Sequence, residues 1–121
     1  MKPNSFLLAI TLALLSACES SRSALENPTR AGSYVWGAEV NSFKPCGSDS
    51  VFWVLGPPGL LMTLRTAHDS LTTRPYEPIY IRVKGQESSQ KTDGFAEETS
   101  GYFQITDILE IRRLGPGECG S

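Results

Sequence analysis

The chain has 121 residues, 40% apolar and 20% charged, with 11 Gly and 8 Pro; that is one domain, since domains usually hold about 100–200 residues. Eleven basic against 13 acidic groups leave a net charge of -2, which excludes the basic field that holds nucleic acid, while mixed charge and ample apolar content exclude a wholly disordered chain. One His, two Met and three Cys give metal and histidine chemistry little material, so the composition points to a small, non-catalytic globular protein without a cofactor.

Lys2 supplies a short positive region, and Phe6-Leu7-Leu8-Ala9-Ile10-Thr11-Leu12-Ala13-Leu14-Leu15 an apolar one. Such a run covers about half of a ~30 Å hydrocarbon core, too little for a membrane-spanning helix. It has the layout of a secretory signal peptide. The run ends in Leu15-Ser16-Ala17-Cys18, which resembles the lipobox of bacterial lipoproteins. In that family the signal is cut before the Cys, whose thiol carries diacylglycerol and whose amino group is acylated. An ordinary signal peptide ending in a chance Cys is the alternative. Residues 1–17 are thus expected to be a signal peptide and Cys18 the lipidation site. Two or more acyl chains anchor a protein stably where one does not. Glu19 follows Cys18; for lipoproteins of this kind with no Asp there, the expected address is the periplasmic face of the outer membrane.

Residues 18–30 are rich in Ser, Arg and Glu and broken by Asn27-Pro28; they read as a flexible spacer. Residues 31–121 are the expected domain. Tyr34, Trp36, Ala38 and Val40 alternate with Gly37, Glu39 and Asn41 as in a half-buried strand, ended by a turn at Pro45-Cys46-Gly47-Ser48-Asp49. Val51–Leu55 is a second strand, apolar on both sides. Gly56-Pro57-Pro58-Gly59 then opens a helix with Leu60, Leu61, Leu64, His68 and Leu71 in a stripe, Pro58 standing where a missing N–H costs nothing. Thr72-Thr73-Arg74-Pro75 ends it. Ile79, Ile81 and Val83 face inward on a third strand. Gly85–Gly101 is a long polar connection with Asp93-Gly94 as a turn and Phe95 as its only aromatic. Phe103, Ile105, Leu109 and Ile111 share one parity on the last strand. The predicted order is β-β-α-β-β.

With Cys18 taken by lipid, Cys46 and Cys119 remain. In an exported protein such a pair points to a disulfide; two free thiols in a redox or metal site are the alternative, with no C-x-x-C to support it.

Gly37-Ala38-Glu39-Val40-Asn41-Ser42-Phe43-Lys44-Pro45-Cys46-Gly47, then Phe52-Trp53-Val54, Pro78-Ile79-Tyr80-Ile81-Arg82-Val83-Lys84-Gly85, Asp93-Gly94-Phe95-Ala96 and Cys119, together resemble the C-terminal OB-like domain of NlpE-type bacterial lipoproteins, and short lipoproteins carrying that domain alone. The resemblance implies a mainly β domain, a small, partly open OB-like β-barrel with one helix and one bridge. It also implies a link to envelope stress sensing. The family's N-terminal barrel with its C-x-x-C is missing here, so copper binding does not carry over: Met62 and His68 alone would remain as soft ligands.

His68-Asp69-Ser70 contains triad letters, but consecutive helical residues point about 100° apart and form no relay. Asp93, Glu97 and Glu98 read as a solvated loop, and Gly115-Pro116-Gly117 as a turn. Tyr80, Arg82, Lys84 and Tyr102 lie opposite their apolar neighbours and form a candidate ligand face. The expected function is that of a lipid-anchored envelope protein whose barrel binds a peptide, glycan or partner protein; the alternative is a small inhibitor or accessory subunit using Gly85–Gly101.

Overall fold

The computed structural model describes residues 27–120; the expected signal peptide and Cys18 lie outside the described residues. The elements in order are β1 (Thr29–Gly37), β2 (Val40–Pro45), β3 (Phe52–Leu55), α1 (Pro58–Leu71), β4 (Ile79–Ser88) and β5 (Gly101–Arg113), with single 3-10 turns at Gly94–Ala96 and Glu118–Gly120. The strands form a closed barrel in the order β1-β2-β3-β5-β4. Neighbours are antiparallel except β3 and β5, which run parallel, and β4 closes the ring onto β1 from Thr29↔Lys84 to Tyr34↔Ile79. The protein is therefore mainly β with one helix, an OB-like barrel with strands and helix in the expected order. The ring is fully closed, because β4 is hydrogen-bonded along both edges.

Two local departures from strict alternation shape it. The first predicted strand is a hairpin: Gly37 pairs with Val40 across Ala38-Glu39, and Glu39 takes a left-handed φ of 61° to make the turn. The turn reverses the parity, so Asn41, Phe43 and Pro45 point inward on β2. Asn41 is thus a core residue, not a member of the solvent face. On β5 the register slips twice against β4, between Arg82/Val83 and between Lys84/Gly85. Each bulge inserts an unpaired residue and increases the local twist, which helps a long strand wrap a barrel. As a result Ile108 packs against the core, whereas Leu109 faces out at 41% exposure.

Inside, Tyr34, Phe43, Phe103, Ile81, Ile105 and Val83 are sealed from solvent, and the Phe43 and Phe103 rings sit 4.8 Å apart. The helix begins with Pro58 at its first turn and lies against β5 and β1. Leu64 is fully buried in the core, and Leu60, Leu61 and Leu71 pack against that core partly buried. It stops at Thr72, whose N–H and hydroxyl both donate to the His68 carbonyl. One polar chain crosses the core: the Tyr34 hydroxyl donates to Asn41 Oδ1 (2.8 Å) and Asn41 Nδ2 to the Val54 carbonyl (2.9 Å). Burial pushes the Tyr34 phenol up to about 12, because the charged form would have to be desolvated.

β5 starts at Gly101, with φ 153°; a Cβ there would sit 2.0 Å from the Ser88 carbonyl oxygen, so only glycine lets β4 and β5 approach. At the other end Cys119 forms a disulfide with Cys46, 73 residues away. The bridge fastens the chain leaving β5 to the turn that follows β2. Among the described residues no helix is long and apolar enough to cross a membrane.

Candidate ligand-binding site

Tyr80, Arg82 and Lys84 alternate with buried Ile79, Ile81 and Val83, so they share the outer face of β4. Their neighbours already engage two of them. The Arg112 guanidinium lies 3.8 Å over the Tyr80 ring, and Arg82 approaches Glu110 at 4.0 Å. Arg112 also binds Glu118 through two bonds of 2.6 Å and Glu110 at 3.0 Å. Hydrogen bonds from Arg112 hold the Glu118 carboxyl down at about 2, and its two carboxylate partners raise Arg112 itself. Tyr102 also points outward but does not join this group. It stands near the opposite end of β5, paired with Ser88 and Trp53.

Two concavities lie elsewhere, on either side of the β1–β2 turn. One, of about 290 Å³, runs over the outer face of β2 and β3, bounded by Glu39 at the turn and by Phe95, Glu98 and Thr99 from the β4–β5 connection. Trp53 forms part of its floor, because Phe52 and Val54 turn inward and leave Trp53 outside. Phe95 is 64% exposed. Its companion on the same short turn, Ala96, is buried, so the connection is fastened to the barrel while the ring projects. Together with Trp53 in the same groove it makes an apolar patch, and contiguous apolar patches mark binding surfaces where single exposed side chains do not.

The other cleft, of about 490 Å³, is enclosed by the β1–β2 turn, the last turn of α1 and the segment leading into β4. Trp36 and Tyr76 supply aromatic walls, and His68, Asp69, Glu39 and Arg74 polar ones. Tyr76 is held at φ 61°, with its ring against Gly37, where a Cβ would come within 2.5 Å of it. The Arg65 guanidinium covers Trp36 at 4.3 Å. His68 is 2% exposed, and its Nε2 lies 2.7 Å from the Glu77 carbonyl oxygen. A carbonyl only accepts, so Nε2 carries the hydrogen. Nδ1 has no hydrogen-bond partner; the nearest carboxylate, Asp69 Oδ1, is 3.9 Å away. Glu77 fixes the loop from its other end, its carboxylate accepting the N–H groups of Thr73 and Arg74. Those bonds, the one from Thr73 foremost, lower its pKa.

The triad letters form no relay: Ser70 donates to the Thr66 carbonyl while His68 turns to Glu77. Among the described residues no three His, Cys, Asp or Glu side chains converge as a metal ion would need. Sequence reasoning passed over Trp53, Tyr76 and the role of Phe95. The available signal was Phe95 itself, a solitary aromatic in a polar connection. In comparisons with family models, curated proteins and solved structures, the chain matches none.

Proposed function

We propose that this is a non-catalytic, lipid-anchored protein of the bacterial envelope whose OB-like barrel binds a peptide, glycan or partner protein, in the manner of an envelope stress sensor. The observation that carries the binding role is the groove over β2 and β3 with Trp53 in its floor and Phe95 projecting beside it. OB barrels characteristically hold ligands on this face, between the β1–β2 and β4–β5 loops. The anchor rests on the lipobox-like Leu15-Ser16-Ala17-Cys18 and the envelope role on the NlpE-type resemblance.

The test uses the full-length protein expressed in a bacterial envelope. Fatty-acid labelling is expected on the wild type and absent from Cys18→Ser, since no other residue offers a thiol after the small pair; efficient labelling of the Ser variant overturns the anchor. Cross-linking in the same cells is expected to capture a ligand or partner that Trp53→Ala and Phe95→Ala each release. Reproducible absence of capture, or capture indifferent to both variants, overturns the binding role. The projecting Phe95 also suits the second reading, an inhibitor or accessory subunit, in which the captured partner is an envelope enzyme or machine whose activity changes on binding.

A further inference from the structure

We propose that the second cleft, beside His68, is a separate binding site for a basic group: the ammonium or guanidinium end of a Lys or Arg side chain on a peptide. The inference begins with the unpartnered His68 nitrogen. With Nε2–H committed to the Glu77 carbonyl, Nδ1 of the neutral ring is a lone pair able only to accept. It is buried without a partner, on the side of the ring nearest Asp69. Asp69 is itself an acceptor and cannot satisfy it. A buried acceptor left bare is costly unless a donor arrives.

The other groups of the cleft want the same kind of ligand. Glu39 and Asp69 are carboxylates that, among the described residues, pair with no Lys or Arg. The basic residue in the wall, Arg74, has its side chain 81% exposed and its Nε 3.9 Å from the Glu77 carboxylate, so its guanidinium is turned toward solvent. Three acceptors therefore belong to this cleft, while the buried unpartnered donor nearby, Arg65 Nε, sits with its guanidinium over Trp36 and outside the lining groups. The Tyr76 ring at the mouth is half exposed and offers a face to a cation; Trp36 next to it already carries the Arg65 guanidinium in that way. A phosphate or carboxylate would meet two like charges. A neutral sugar would supply donors and acceptors alike, and its acceptors would meet solvent-turned Arg74 and hydroxyls of Thr72 and Tyr76 that already donate to backbone carbonyls.

The probes are N-acetyl-lysine amide and N-acetyl-arginine amide, with N-acetyl-norleucine amide and N-acetyl-citrulline amide as neutral counterparts and chitobiose as the sugar, titrated by NMR into the full-length chain. At least one basic amide is expected to bind about tenfold or more tightly than its neutral counterpart, a charge-assisted bond being about twice as strong as a neutral one. Which of the two binds better tells ammonium from guanidinium. The His68 Nδ1 resonance should move toward that of a hydrogen-bonded acceptor, and added salt should weaken binding. Asp69→Asn and Glu39→Gln, both at exposed positions, should each reduce affinity without disturbing the fold. His68→Gln, which keeps a donor for Glu77 but lacks the Nδ1 acceptor, should abolish the His-dependent part. Equal binding of basic and neutral amides, preference for chitobiose, no binding, or affinity unchanged in Asp69→Asn would each overturn the proposal. Trp53 and Phe95 take no part in this readout, so its failure leaves the β2–β3 face untouched.

Discussion

Asn41 shows how much a single polar side chain can fix in a core otherwise made of hydrocarbon. It is 2% exposed and joins the Tyr34 hydroxyl to the Val54 carbonyl, and so β1 and β2 to β3. Asn41→Ala should strand the Val54 carbonyl and remove the acceptor of Tyr34, costing about 2–6 kcal/mol at about 1–3 kcal/mol per unsatisfied group; chemical denaturation measures it. Leu64 and Asp69 make a sharper contrast on one helix. Leu64→Ala empties a fully buried position and should cost about 2–5 kcal/mol through lost transfer energy and a cavity. Asp69→Ala, its side chain 73% exposed, should change stability by less than about 0.5 kcal/mol. If the two melts coincide, the helix does not seal the barrel.

At the scale of elements, the order of strands and helix was legible because each carries its own period: two for Ile79, Ile81 and Val83, a helical stripe for Leu60, Leu64 and Leu71, and Pro58 marking the start. What was not legible arises where one residue more or less reverses a face. The Ala38-Glu39 turn and the bulges of β5 do this without any Gly-Asn or Pro signature, so Asn41 was placed outside and Leu109 inside. The site was less legible still. Whether Trp53 faces in or out depends on which strands flank β3, a matter of pairing across the ring that no local pattern records. The end of β5 also carries a pH-dependent contact. Arg112 holds Glu118 at about 2, against an ordinary value of 4.5. A lowered carboxylate pKa contributes stability that is present above the ordinary value and is lost as pH falls toward the lowered one. The stability gap between wild type and Glu118→Gln should therefore be full above about 4.5 and shrink as pH falls toward about 2. A carboxyl titration followed by NMR should place the Glu118 midpoint near the lower figure; a midpoint at the ordinary value would remove the contact from the account.

For the molecule as a whole, the Cys46–Cys119 bridge closes most of the domain into one loop of 73 residues. By the chain-entropy argument a loop of that length is worth about 4 kcal/mol, a large part of the roughly 5–15 kcal/mol that holds a small domain together. The denatured, unreduced protein should yield no free thiol from Cys46 or Cys119, and the paired Cys→Ser variant should lose about that much stability in a denaturant melt. Two reactive thiols at these positions would overturn the bridge.

The direction of β1 gives the molecule a front and a back. The chain joins the barrel at Thr29, beside Lys84, and reaches the His68 cleft at Gly37. At about 3.3 Å per residue the strand separates those two places by roughly 25 Å. A tether attached upstream of Thr29 therefore pulls on one end of the barrel while the cleft opens at the other. A ligand thus reaches the rim of Trp36, Glu39 and Tyr76 without meeting the strand's point of entry, and a label or surface coupling attached ahead of Thr29 leaves the cleft open.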